Sequence, residues 1–374
     1  MRGLRNSLTR VLDFAVHKWG RVDVHSKRSR SVDQVSGNDG IEFLGGFMYV
    51  PTTFGIALIM MVTSTICWGS WANTFKLTRN YRFELFYWDY ALGIVLISLI
   101  LAFTIGSTPA GPTSFLNNIH TADSSNLVSA LIGGFIFNIA NLLLVAGIEL
   151  AGLAVAFPLS IGIALVVGVV LSYCLQPKGN PGLLALGVGL AIIAVVMIGK
   201  AYGQLPGGER STSRKSIVVC VISGLLMGTF APFVTRALTH GAALTPYSIS
   251  VFFTLGAILC CFVVNVYFMR RPLTGTPVDF SGYFSAPIPY HLLGLIGGLI
   301  WGLGGVFNFV AASLTGVAIS YAIGQAAPMV AALWGVFVWK EFAGANSKAK
   351  LYLVGMFAFY VLALIVISYA YQRA

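Results

Sequence analysis

Apolar residues fall along this chain in long unbroken runs with short polar punctuation between them. A helix needs roughly 20 apolar residues to cross about 30 Å of hydrocarbon. Ten runs meet that measure: 53–75, 85–106, 127–148, 152–175, 182–202, 216–238, 246–268, 291–313, 316–338 and 351–371. Strands of a membrane barrel would alternate apolar and polar positions over about ten residues; these runs are continuous and predict helices. Turn formers divide them, as in Pro109-Ala110-Gly111-Pro112, the stretch from Gln176 to Pro181, Leu205-Pro206-Gly207-Gly208 and Pro287-Ile288-Pro289. No intervening stretch is long and polar enough for a separate soluble domain. The pattern therefore predicts an all-α integral membrane protein with ten transmembrane helices.

The pattern also repeats after five segments. Leu131-Ile132-Gly133-Gly134-Phe135-Ile136-Phe137 matches Leu295-Ile296-Gly297-Gly298-Leu299-Ile300-Trp301, and the same offset aligns Gly152-Leu153-Ala154-Val155-Ala156-Phe157 with Gly316-Val317-Ala318-Ile319-Ser320-Tyr321. Segments one and six agree more weakly, Trp68-Gly69-Ser70-Trp71-Ala72 against Met227-Gly228-Thr229-Phe230-Ala231. Five crossings per copy is an odd number, so the second copy enters from the opposite face. Two inverted five-helix repeats, 48–204 and 205–374, are expected. In transporters such repeats place the solute near the midplane between them, with alternating access by rocking.

Residues 1–47 break the pattern. They hold Arg2, Arg5, Arg10, Lys18, Arg21, Lys27, Arg28 and Arg30 and no apolar core of signal-peptide length. They read as a disordered basic tail, either a start-site artefact upstream of Met48 or an arm lying on a membrane surface.

Composition strengthens the membrane reading. Of the 374 residues 57% are hydrophobic and 9% charged, against about 25% charged in soluble domains. The net charge of +11 resembles a nucleic-acid signal, but the basic residues sit at segment ends, which suits membrane orientation. Loops after odd-numbered segments carry Lys76, Arg79 and Arg82; Lys200, Arg210, Arg214 and Lys215; Arg270 and Arg271; and Lys340, Lys348 and Lys350. The opposite side has Lys178, Arg236 and Arg373. Basic loops stay in the cytoplasm, so both termini of the ten-helix core are expected outside. The basic tail contradicts this orientation, and the conflict favours Met48 as the start. Cys67, Cys174, Cys220, Cys260 and Cys261 lie in apolar runs with no CxxC spacing. They read as small hydrophobes, and neither a metal nor a cofactor is expected.

Candidate chemistry lies in the polar residues at membrane depth. A neutral hydroxylated solute needs hydrogen-bonding groups and flat apolar faces. Asn73, Asn138, Asn141, Asn308 and Gln325 supply the first, and Trp68, Trp71, Trp301, Tyr321 and Trp334 the second. The alternatives are that the amides bridge helices and that Trp68, Trp71 and Trp334 form an interfacial belt. Asn138 and Asn141 share a helix face, as do Tyr321 and Gln325. Ionisable residues inside a membrane are functional candidates, and Asp89 and Glu149 are the candidates for ion coupling. Asp89 has a static alternative, pairing with Lys76 or Arg79. His240 and His291 fall near segment ends and read as solvated. No cluster of His, Asp or Glu suggests a membrane enzyme acting on lipid.

Four stretches carry a family resemblance: Cys67-Trp68-Gly69-Ser70-Trp71, the basic turn Lys76–Arg82, Tyr87-Trp88-Asp89-Tyr90, and Phe103-Thr104-Ile105-Gly106. With the five-plus-five arrangement, the chain from Tyr49 onward resembles the drug/metabolite transporter superfamily. It is most similar to the ten-helix branch holding the rhamnose–proton symporter, bacterial glucose/ribose uptake proteins and plant ureide permeases. The resemblance implies inward movement of sugars or ureides, coupled to protons or sodium. The first helix lacks the embedded Glu on which small multidrug exporters of the superfamily depend, which argues against a cationic-drug exporter. The loop between segments five and six is shorter than the large cytosolic loop of plant ureide permeases. The expected function is uptake of a neutral polar solute, a sugar first and a ureide, nucleobase or other nitrogenous metabolite second. Expected surroundings are lipid, a cell membrane (a bacterial inner membrane first), a homodimer and no nucleic acid.

Overall fold

Each predicted run forms a helix, and local chemistry sets where half of them start. In the computed structural model the described residues are 49–78, 81–107, 114–151, 156–205 and 213–373. The helices are α1 (Phe54–Leu77), α2 (Phe83–Phe103), α3 (Ser124–Ala151), α4 (Leu159–Leu175), α5 (Pro181–Gly203), α6 (Arg214–Thr239), α7 (Pro246–Arg270), α8 (Ile288–Thr315), α9 (Val317–Val338) and α10 (Ser347–Gln372). Nine are long and apolar enough to span a membrane, and α4 is a shorter apolar tenth. No strand occurs among the described residues. The tail 1–47, Arg79, the turn 109–112, residues 152–155 of the repeat and the turn 206–208 lie outside the described residues.

Side-chain oxygens cap the starts of several helices, satisfying N–H groups that have no partner within the helix. Thr53 caps α1, Asn180 caps α5 ahead of Pro181, Ser213 and Ser216 form a reciprocal box on α6, Thr245 caps α7 and Asn346 caps α10. Two short helices, Phe115–Thr121 and Phe280–Phe284, lie in connections that the hydropathy pattern left as loops.

Two helices are interrupted. α1 breaks at Trp71. α9 breaks at Gln325 and Ala326, where the bond from Ala326 N to Ile323 O (3.0 Å) tightens the chain to a three-residue turn. Pro328 explains the second break, because it lacks the N–H that the Gly324 carbonyl would otherwise receive.

The bundle is built from α1–α8, α3–α6, α2–α8, α3–α7, α4–α6, α5–α10 and α4–α9 contacts. Swapping the halves, one for six through five for ten, turns this set into itself, apart from α4–α6, whose counterpart α1–α9 is also a contact. Glycines set the closest crossings. A Cβ on Gly298 would stand 2.9 Å from Gly93 Cα, and one on Gly134 would stand 2.6 Å from the Phe253 carbonyl carbon. Small residues at such crossings let membrane helices approach backbone to backbone.

One end of the bundle is tied by amides. Asn126 Nδ2 donates to the carbonyls of His240 (2.7 Å) and Ala242 (3.1 Å), and Asn118 bonds the Ala243 carbonyl and the Thr245 N–H. These bonds bind the start of α3 and the short helix before it to the α6–α7 turn.

Candidate functional site

A cavity of about 310 Å³ lies between the two sets of five helices, lined from α1, α2, α3, α4, α6, α8 and α9. That is near the lower end of the ~300–1,000 Å³ typical of small-molecule sites. It runs from Phe137 and Trp301 in the middle of α3 and α8 to the end of the bundle where Phe75, Phe83 and Glu149 lie. Beneath it an aromatic floor is packed solid. Phe253 contacts Phe137 (ring centroids 5.4 Å), Phe230 (5.4 Å) and Phe309 (5.3 Å).

The walls are flat rings. Trp301 stacks on Trp68 (5.7 Å, 18°) and lies against Phe137 (4.7 Å). Trp71, at the break in α1, packs on Tyr90 (4.6 Å) and also faces the cavity. Polar lining is sparse. Gln325, at the break in α9, brings its side-chain amide to the wall with no hydrogen bond among the described residues. Asn141 Nδ2 donates to Tyr87 Oη (3.0 Å) behind the wall. Glu149 lies exposed at the mouth and accepts from the Thr274 hydroxyl.

Of the residues picked from sequence, the fold gathers Trp68, Trp71, Asn141, Trp301, Gln325 and Glu149 around this space. The remainder are engaged elsewhere. Asn138 is 1% exposed; it accepts from Tyr87 Oη and donates to Cys261 Sγ (3.5 Å). Asn308 Nδ2 donates to the Ser320 carbonyl (3.0 Å), joining α8 to α9. Tyr321 Oη lies 3.1 Å from the Met227 carbonyl and 3.3 Å from that of Ala164. Asn73 donates to the Ser70 carbonyl (2.7 Å) and accepts from Trp339 Nε1 (2.5 Å). It belongs to a seam between α1 and the end of α9, with Trp334 Nε1 on Ser70 Oγ (2.8 Å) and Lys76 paired with Glu341.

Asp89 sits outside the cavity, 7% exposed, between α2 and α8. Of the two static partners expected for it, Lys76 binds Glu341, and Arg79 lies outside the described residues. Instead Asp89 Oδ2 meets His291 Nδ1 (2.8 Å) and Oδ1 accepts from Tyr283 Oη (2.7 Å). His291, expected to be solvated, is thus half-buried against a carboxylate, because the short helix 280–284 folds back over it. Tyr283 packs edge-on to its ring at 4.6 Å. Burial, then the charge of Asp89, pushes the Tyr81 hydroxyl up to about 12. Burial, then the hydrogen bond to Asp89, raises Tyr283. Tyr283 is the phenol that donates to the carboxylate, while the Tyr81 hydroxyl is buried without a hydrogen-bond partner among the described residues.

Sequence reasoning missed Phe137, Phe230, Met227 and Tyr87. The repeat held the signal for three of them. Phe137 aligns with Trp301, Met227 with Trp68 and Phe230 with Trp71, and all six line the cavity. Tyr87 carried no such mark; its role emerges from the contact with Asn138 and Asn141 alone.

Comparison with known proteins gives the chain its relatives. A profile of the sugar transport protein family matches residues 100–370. Ureide permease 1 of Arabidopsis thaliana is 21% identical over 387 residues, 86% of this chain and 98% of that one. A Listeria monocytogenes protein named for sugar uptake is 24% identical over 220 residues, 58% of this chain and 70% of that one. A solved crystal structure has the same fold, with TM-score 0.59 and 15% identity over 85% of this chain and 98% of that one. This chain is therefore a multi-pass membrane transporter, and it belongs to the sugar transport protein family.

Proposed function

We propose that the cavity is the solute site of an alternating-access carrier, and that its solute is a planar neutral ureide or nucleobase-like compound. The observation that carries this reading is the ratio of flat to polar lining. A sugar presents hydroxyls around its whole rim, each of which loses about 1–3 kcal/mol if buried without a partner. The sequence offered enough amides and phenols for such a rim, but Asn73, Asn138, Asn308 and Tyr321 are spent on internal bonds. Asn141, Gln325 and, at the mouth, Glu149 are what face the cavity. A ring with N–H and C=O groups on its edges needs few polar partners and two aromatic faces. Permeases named for ureides that align along almost their full length support the same choice. A sugar is the second reading, favoured by the family profile and by the stacking of pyranose faces on indoles.

The two halves, 48–204 and 205–374, are inverted repeats in this reading. The exchange-symmetric helix contacts and the paired lining residues support it. The loops after odd-numbered helices face the cytoplasm, both ends of the ten-helix core face outside, and the cavity is open inward. Asp89 with His291 and Tyr283 takes up a coupling proton; sodium is the second candidate ion.

Uptake by purified protein in liposomes, with labelled allantoin, uracil, glucose and rhamnose under an imposed pH gradient, tests the proposal. Allantoin or uracil should enter and the sugars should not. Entry of sugars alone would replace the first reading with the second; entry of none would remove both.

A further inference from the structure

The polar wall of the cavity has a direction. Cys261 Sγ–H donates to the Ala257 carbonyl one turn back (3.5 Å), so its sulfur is left to accept from Asn138 Nδ2 (3.5 Å). With its amide nitrogen committed, Asn138 offers Oδ1 to Tyr87. Tyr87 spends its single hydroxyl hydrogen there and can only accept from Asn141 Nδ2 (3.0 Å). Each member has its donor used before the next is reached, and a phenol has one hydrogen to give. Turning Asn141 over would set its Oδ1 against an oxygen with no hydrogen to share. The chain is buried from Cys261 to Tyr87, and Asn141 is the member that reaches the cavity.

We propose that this relay fixes Asn141 as a hydrogen-bond acceptor toward the solute, making Tyr87 and Asn138 positioning residues for specificity. The solute must bring an N–H or O–H donor to that point. This deepens the reading above, since the edge of a ureide or nucleobase supplies such a donor. It rests on that reading only for the class of compound.

The test compares each solute with its methylated form: uracil with 1,3-dimethyluracil, and glucose with its penta-O-methyl ether. Wild-type protein should prefer the parent by about tenfold or more, because methylation leaves a buried acceptor unpaired. Tyr87→Phe frees the amide to turn, and the preference should fall to within about threefold. In Asn138→Leu the Tyr87 hydroxyl hydrogen turns to Asn141 Oδ1, presenting Nδ2 to the cavity, and the preference should vanish or reverse. Cys261→Ser keeps an O–H for Ala257 and an oxygen for Asn138, so the ratio should persist. A purely structural Tyr87 would lower both solutes equally. A folded Tyr87→Phe or Asn138→Leu protein that keeps the wild-type ratio overturns the relay. If only glucose is carried, the ureide reading fails while the relay is still judged from the glucose pair.

Discussion

At the scale of single residues, the distinction that matters is whether a polar side chain has already found a partner. Gln325 and Asn141 present hydrogen-bonding groups to the cavity. Gln325→Ala and Asn141→Ala should each lower transport about tenfold to a hundredfold, the equivalent of one or two buried hydrogen bonds, with little loss of expressed protein. Parallel losses of transport and expression would assign both amides to helix packing. Asp89 supports a different expectation. Asp89→Asn and His291→Gln should abolish the response to a proton gradient while exchange of preloaded solute continues. An unchanged pH profile in both variants would take this pair out of the coupling step. Residue identity alone could not sort Asn141 from Asn138, three positions away on the same face. What separates them is the Tyr87 hydroxyl, which reaches both from another helix. Asp89 was legible as a buried acid, but its partner was not, because His291 is brought over it by a short helix without a hydropathy signature.

At the scale of elements, hydropathy located the ten long apolar helices, since a run of apolar residues has no stable alternative in lipid, but not the two short helices in the connections. The interruptions were less visible. Pro328 marks the break in α9, whereas the break at Trp71 has no proline or glycine at its centre. Trp71 and Gln325, at these two points, both line the cavity. The glycine crossings make a further prediction. Gly134 and Gly298 occupy equivalent positions in the repeat, and each meets backbone of a facing helix. Gly134→Leu and Gly298→Leu should each reduce the folded fraction, by at least the ~1–3 kcal/mol of an overpacked core, as measured by size-exclusion profile and thermal melting. A normal melting temperature in either would mean that the crossing adjusts more easily than its contacts indicate.

At the scale of the whole molecule, exchanging helices one to five with six to ten maps most of the helix contacts onto one another, and three pairs of lining residues share the sequence offsets of the proposed repeat. Sidedness is testable directly. In a variant without the exposed native Cys174, an impermeant maleimide added to intact cells should label Gly241→Cys, in the α6–α7 turn, and spare Lys348→Cys, ahead of α10. The reverse labelling would invert the assignment of the cavity to the cytoplasmic side. The amide ties of Asn118 and Asn126 close the opposite end. Asn126→Ala should therefore increase labelling of cysteines placed on the aromatic floor from outside.

Among the described residues that line the cavity, Glu149 at the mouth is the one ionisable side chain. A membrane potential acts on moving charge, at about 2.3 kcal/mol per elementary charge for each 100 mV. If the carrier alternates as proposed, Glu149 at the mouth crosses little of that field, and the rest of the cavity lining gives it nothing to work on when the carrier returns empty. Its return stroke should run at the same speed in polarised and depolarised vesicles, so any current recorded during uptake would count the accompanying ion alone.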